Sequence, residues 1–352
     1  MKKSISTLLR LLLFLSLGVF IFYFVYKEQA AQYMNFCLEQ GNSASECSLV
    51  DKIINDLRHA RPFWLVMTLV LYFISNVSRA IRWKLLVEPD NGPVRVRNTF
   101  LATMVGYFAN LAIPRFGEFV RAGVLSRYEK IGSAEVMGTV VTDRLLDVLC
   151  LLLMFGLGMI LASGQILDYL STHAQLPNIS SFMITGLILG ILLVLGLTVY
   201  LGVRFKYHRI MQRLKAKVKS FVAGVMSIRN VKNYKLLVFH SLNIWLMYYL
   251  MTFLPFLSFD STAHLTPVAG LLVFIFGGLG MVLPAPGGIG TYHAMVIAGL
   301  SIYGVSGPDA FSFAMIIFLV INICVNLVMG VVSLIALPIV NTNYKPQREH
   351  DH

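Results

Sequence analysis

The chain has 352 residues, of which 57% are hydrophobic and only 13% charged. A soluble domain is about a quarter charged, so this composition excludes an ordinary soluble enzyme and points to an all-α, polytopic integral membrane protein. The net charge of +12 lies in Lys and Arg beside the apolar runs, the pattern of cytoplasmic loops rather than of a nucleic-acid surface.

In chain order, the N-terminal run from Leu11 to Tyr26 is longer than the roughly 7–15 apolar residues of a signal peptide. It predicts an uncleaved first helix over 8–26. A polar loop, 27–61, follows and holds Cys37 and Cys47. These two pair if the loop lies outside the cytoplasm, or stand as two thiols. Further spans are predicted at 62–82, 138–162, 181–203, 235–258 and 311–337. Cys150 and Cys324 fall inside apolar runs and read as packing residues. No cysteine spacing resembles a zinc site, and no metal is expected.

Two regions differ from the spans. Residues 98–128 and 265–304 are each interrupted near the middle by proline and glycine. Their arms, about 15–20 residues long, are short for full crossings. The fold expected is six full spans plus two interrupted, re-entrant hairpins, or eight helices if the hairpins cross. Lys and Arg place the N-terminus, the loop around Arg82, Lys84, Arg95 and Arg97, the segment 204–235 and the tail 338–352 in the cytoplasm. Segment 204–232 repeats apolar residues at helical spacing (Ile210, Leu214, Val218, Phe221, Val225) among lysines and arginines. It reads as a basic amphipathic helix on an anionic inner leaflet, or as an ordinary basic loop. Residues 1–352 form a single transmembrane domain in the cytoplasmic membrane, for which a homo-oligomer is compatible.

The interrupted regions resemble each other. "PRFGEFVRA" starts at Pro114 and "PGGIGTYHA" at Pro286. At this offset of 172 residues, Ala122 aligns with Ala294, Gly106 with Gly278, and Arg121 with His293. Three predicted crossings lie between them, so the pair reads as inverted repeats, which in transporters meet at a midplane substrate site.

Charge is concentrated at the first break. Arg115, Glu118 and Arg121 lie there, and Asp143, Arg144 and Asp147 follow in "TDRLLDV". A charge at the bilayer centre costs about 2.5–3.5 kcal/mol, so some of these groups must pair, face water or sit near the membrane surface. Glu118 and Arg121 share a helix face, as do Asp143 and Asp147. Two carboxylates on one face need a cation between them, which an arginine of the interrupted region would supply. A helix starting at Pro114 would aim free N–H groups and its positive dipole at the break, a seat for an anionic group. At the second break Gly287, Gly288 and Gly290 permit close backbone approach, and His293 reads as a proton relay or as a hydrogen-bonded packing residue. Asn110, Asn243, Asn322 and Asn326 read as helix-to-helix hydrogen-bonding residues. No catalytic constellation is found: no serine elbow, no HExxH, no nucleotide-binding loop. No cofactor is expected.

"IPRFGEFVRAGVLSR", then "TDRLLDV", then "LPAPGGIGTYHA" resemble the lysylphosphatidylglycerol synthase transmembrane family, the flippase-like membrane domain, over roughly 8–337. In bifunctional members this domain precedes an aminoacyl-transferase domain and moves the modified phospholipid to the outer leaflet. The resemblance implies a stand-alone member that does not make that lipid. It implies a transporter of an anionic or aminoacylated phospholipid, or of a polyprenyl-phosphate-linked lipid. Its motifs carry onto Gly117 and Glu118, and onto Asp143, Arg144 and Asp147. The family often has an acidic residue near His293, so the histidine is a departure. The substrate-binding set expected is Arg115, Glu118, Arg121, Asp143, Arg144, Asp147, Pro286, Gly287, Gly288, Gly290 and His293, with no catalytic residue. Two other readings are a polyprenyl-phosphate glycosyltransferase using Asp143 and Asp147, and an accessory subunit of a lipid-modifying enzyme.

Overall fold

A computed structural model of the chain describes residues 2–113, 116–164, 219, 221–223, 225–283, 285, 288–344 and 346, with the backbone alone for 2–18 and 112. Among these residues there are α-helices and short tighter or wider helical turns, and no strand. The predicted span 181–203 and nearly all of the basic segment 204–232 lie outside the described residues.

The first helix is longer than its apolar run. α1 (Lys2–Glu39) continues well past residue 26, and α2 (Leu49–His59) follows. The expected polar loop 27–61 is therefore mostly helical. Only residues 40–48 turn the chain, and Cys37 and Cys47 are joined there as a disulfide with Cα atoms 5.7 Å apart. The polarity of 27–39 marks helix outside the apolar zone. α2 starts at Ser48, whose hydroxyl accepts from the Asp51 N–H at 3.3 Å. Its Lys52 is held between Asp56 at 2.8 Å and Asp309 at 2.7 Å, which ties α2 to a distant helix.

α3 (Pro62–Asn91), α6 (Ser133–Leu161), α7 (Tyr234–Phe253, extended by a tighter turn through Ser258) and the run Gly307–Val340 are each long and apolar enough to cross a membrane. Proline at the first turn starts α3, and Asn233 caps α7 by accepting from the Leu236 N–H at 3.0 Å. Residue 82, the expected end of the second span, is followed by nine more helical residues. The run Gly307–Val340 consists of α10 (Gly307–Ile317), a π-helical stretch (Phe318–Val325) and α11 (Asn326–Val340).

The two interrupted regions are helical hairpins. The first is α4 (Val96–Ala112) with α5 (Gly117–Glu129), and the second is α8 (Pro267–Val282) with α9 (Thr291–Ser301). At 1.5 Å per residue, α4 is about 25 Å long and α5 about 20 Å, both short of the roughly 30 Å hydrocarbon core. Each hairpin closes on a backbone crossing. A Cβ on Gly117 would strike the carbonyl oxygen of Gly106, and a Cβ on Gly280 would lie 2.7 Å from the carbonyl oxygen of Thr291. Glycine is required because the two backbones occupy the space of a side chain. These crossings match Gly106 to Gly280, an offset of 174, so the close contact sits two residues away from the register that the prolines suggest.

Candidate functional site

The first break is a turn between α4 and α5. Pro114 and Arg115 lie outside the described residues. α5 begins at Gly117 rather than at Pro114, and its Gly117 N–H donates to the Asn110 side-chain oxygen at 2.7 Å. That donor, which the sequence reading offered to an anion, is occupied by α4.

The charged residues after the break do converge. Glu118 and Arg121 stand three apart on α5, and the Arg121 Nε lies 2.7 Å from Glu118 Oε2. The other end of Arg121 reaches α6 and donates to Asp143 Oδ2 at 3.0 Å. Its guanidinium sits 4.8 Å from the centre of the Trp83 ring, so an aromatic face covers it. Arg144 links back, with Nη2 2.5 Å from Glu118 Oε1 and Nη1 3.1 Å from Asp147 Oδ2. Asp143 and Asp147 face the same way, one turn apart, as their spacing requires.

The cations between them come mainly from α3. Arg82 donates through Nε to Asp143 Oδ1 at 2.8 Å and through Nη2 to Asp147 Oδ1 at 2.7 Å. Arg79, one turn earlier, donates to Asp147 Oδ2 at 2.9 Å and to the Tyr248 hydroxyl of α7 at 3.1 Å. Arg82 was expected in a cytoplasmic loop. It is instead fully enclosed, because α3 continues past it and turns its polar stripe (Ser75, Asn76, Ser78, Arg79, Arg82) inward. That stripe of polar residues at helical spacing was the signal available in the sequence.

The cluster therefore joins α3, α5 and α6 through four guanidinium groups and three carboxylates, and reaches α7 through the Tyr248 hydroxyl. Among the described residues the formal charges of the cluster sum to one positive charge in excess. Several buried donors also lack a hydrogen-bond acceptor among the described residues: Arg79 Nε, Arg82 Nη1, Arg121 Nη1 and Arg144 Nε. Burying unpaired donors costs about 1–3 kcal/mol each, more when charged. The cluster is closed on the α3 side and partly open at Arg144, whose side chain is 39% exposed. Asp143 lies about 15 Å along α6 from Ser133, and Asp147 about 21 Å, so the carboxylates stand near the middle of a helix about 43 Å long.

The second break holds a different environment. Pro286 and Gly287 lie outside the described residues. Gly288 and Gly290 are buried with φ of 79° and 81°, backbone states that favour glycine. His293 is 1% exposed, with Phe22, Tyr292, Phe311 and Phe318 ring centres 4.8–5.7 Å or, for Phe311, 5.9 Å away. Neither ring nitrogen has a hydrogen-bond partner among the described residues. The hydrogen-bonded packing expected of it is thus replaced by aromatic enclosure. No described contact joins His293 to the arginine cluster. Of the asparagines, Asn243 donates to Ser78 at 2.7 Å and Asn326 accepts from Tyr72 at 2.5 Å, both between helices.

The family described as "Lysylphosphatidylglycerol synthase TM region" matches residues 48–328, which include the whole charged cluster and both hairpins. The chain belongs to this family. The lysylphosphatidylglycerol synthase TM region starts at α2, so α1 stands outside the matched part. The chain is also similar to a UPF0104 membrane protein of Methanothermobacter thermautotrophicus, 27% identical over 309 residues, covering 80% of this chain and 88% of that protein. A UPF0104 membrane protein of Methanocaldococcus jannaschii is 24% identical over 277 residues, covering 73% and 80%. No solved structure matches the chain.

Proposed function

We propose that this member of the family is a lipid transporter of the flippase kind, carrying an anionic or aminoacylated phospholipid, or a polyprenyl-phosphate-linked lipid, between leaflets. One observation carries the reading: a buried cluster with a surplus guanidinium and unpaired N–H groups at mid-helix. A net positive charge held near mid-helix is costly, and a phosphate arriving from the Arg144 side would supply the balancing charge and an acceptor for donors at that end of the cluster. The two hairpins, broken at glycines and prolines, supply the irregular backbone that transporters place around a midplane site.

In this reading Arg121 and Arg144 contact the phosphate while Asp143 and Asp147 hold the guanidiniums in place. Gly288, Gly290 and His293 shape the second break. The chain sits in the cytoplasmic membrane with both termini inside. The disulfide between Cys37 and Cys47 supports an outside location for residues 40–48, since disulfides persist in oxidising compartments. The glycosyltransferase reading is disfavoured because Asp143 and Asp147 are each engaged by several arginines and have little capacity left to act as bases.

Reconstitution into liposomes with a head-labelled anionic lipid tests the proposal. Arg144→Gln removes one charge-assisted contact, worth about 1.5–3 kcal/mol, and is expected to slow translocation about tenfold or more in protein that remains folded. Translocation at the wild-type rate in that variant would sink the site assignment.

A further inference from the structure

The stripe of α6 that carries the carboxylates does not stop at Asp147. It runs on through Cys150, Met154, Leu157 and Leu161, alternating steps of three and four residues, so all lie along one helix face. Beyond Asp147 this face becomes one wall of a groove of about 530 Å³. The opposite wall is α7 from Phe239 to Tyr249, and Pro267 and Leu271 of α8 close the end. The charged cluster and the groove thus share one face of α6, meeting at Asp147 and Cys150, both buried. They are linked a second time through α7. Tyr248 accepts from Arg79, and the Trp245 ring in the groove packs on Tyr248 at 6.2 Å.

We propose that this groove holds one hydrocarbon chain of the lipid whose phosphate docks at the arginine cluster. The inference rests on the reading of that cluster as an anion site and names where the rest of the ligand lies. Two observations select a single lipid chain. The lining side chains are almost all apolar, including half-exposed Leu157 and Leu246. From Cys150 to Leu161 the wall is about 16 Å long, close to half of the roughly 30 Å hydrocarbon core, which is the depth of one leaflet. A soluble anion would use the cluster and leave the groove empty, whereas a lipid fills both ends at once. The chain would run from the cluster toward the Leu161 end of α6, as it does when a headgroup is halfway across the membrane.

The test uses the full-length protein in liposomes with an anionic phospholipid carrying a diazirine at the end of one acyl chain, and its zwitterionic counterpart. Cross-linked peptides are located by mass spectrometry. The expected result is labelling concentrated in 150–161 and 239–249 by the anionic probe, several-fold above the zwitterionic one. Leu157→Trp, or Leu246→Trp on the other wall, fills the groove and is expected to lower that labelling about tenfold. Thermal stabilisation by the anionic lipid in detergent, compared with Arg144→Gln, reads the cluster separately. Labelling spread evenly over outward-facing residues of α3 and α11, with stabilisation still dependent on Arg144, overturns the groove and leaves the anion site standing. Labelling and stabilisation both indifferent to headgroup charge and to Arg144→Gln overturn the anion site and the proposal with it.

Discussion

Arg82 of α3 and Asp143 of α6 are both fully enclosed and meet through a 2.8 Å hydrogen bond from Nε to Oδ1. Asp143 also receives Arg79 at 3.3 Å and Arg121 at 3.0 Å. One carboxylate thus answers to three guanidiniums from two helices, and it is the point where α3, α5 and α6 are locked.

Removing that carboxylate should be costly. Asp143→Ala leaves buried guanidiniums uncompensated, and breaking a buried ion pair from one side costs about 3–5 kcal/mol. The melting temperature in detergent should fall far more than for Glu118→Gln, whose side chain is 22% exposed. Pairing Asp143→Asn with Arg82→Gln restores the charge balance and should recover part of the loss. An Asp143→Ala protein as stable as wild type would mean the cluster is not closed as described.

The hairpin crossing separates two glycines of the same helix. Gly117→Ala forces a methyl group onto the Gly106 carbonyl, and overpacking of this kind costs about 1–3 kcal/mol. Six residues on, a Cβ at Gly123 would meet no atom within 4 Å. Gly123→Ala should therefore stabilise α5 by about 0.8–1 kcal/mol through helix propensity alone. Thermal melts of the two variants should move in opposite directions.

The bridge from α2 to α10 has a pH signature. Burial lowers the Lys52 pKa, but hydrogen bonds and charge attraction from Asp309 and Asp56 outweigh it, so the group ends above its ordinary value of 10.5. A cation whose folded pKa is raised stabilises fully below its unfolded pKa and loses that contribution as pH rises through the folded one. Wild-type stability should hold across neutral pH and drop above about 10.5. In Lys52→Met the part of that drop due to this bridge should be missing, as melts from pH 8 to 11 would reveal.

Much of this was legible in the sequence, for reasons that differ by residue. The hairpins announced themselves because proline and glycine interrupt apolar runs. Glu118 with Arg121, and Asp143 with Asp147, were readable from helical spacing. Arg79 and Arg82 were not, because charge counting assigns an arginine at the end of an apolar run to a loop, and only a stripe of short polar residues one turn apart argued otherwise. The helical character of 27–39 and 49–59 was also hidden. Hydropathy measures where a helix meets lipid, not where it ends, so α1 and α2 looked like loop once they turned polar. The aromatic enclosure of His293 was illegible too, since Phe22 comes from α1 at the other end of the chain, and Phe311 and Phe318 come from the next helical run.

The π-helical stretch between α10 and α11 separates two environments within one apolar run. Before it Ala310, Phe311, Ser312, Phe313, Ala314, Ile316 and Ile317 are buried on every side of the helix, and after it only Gly330, Ser333 and Leu337 are. The wider turns of Phe318–Val325 change the angular step between the two parts. The stretch thus works like a vernier: α10 packs against Val296 and Leu300 of the second hairpin, while α11, at Gly330, rests on Phe108 of the first.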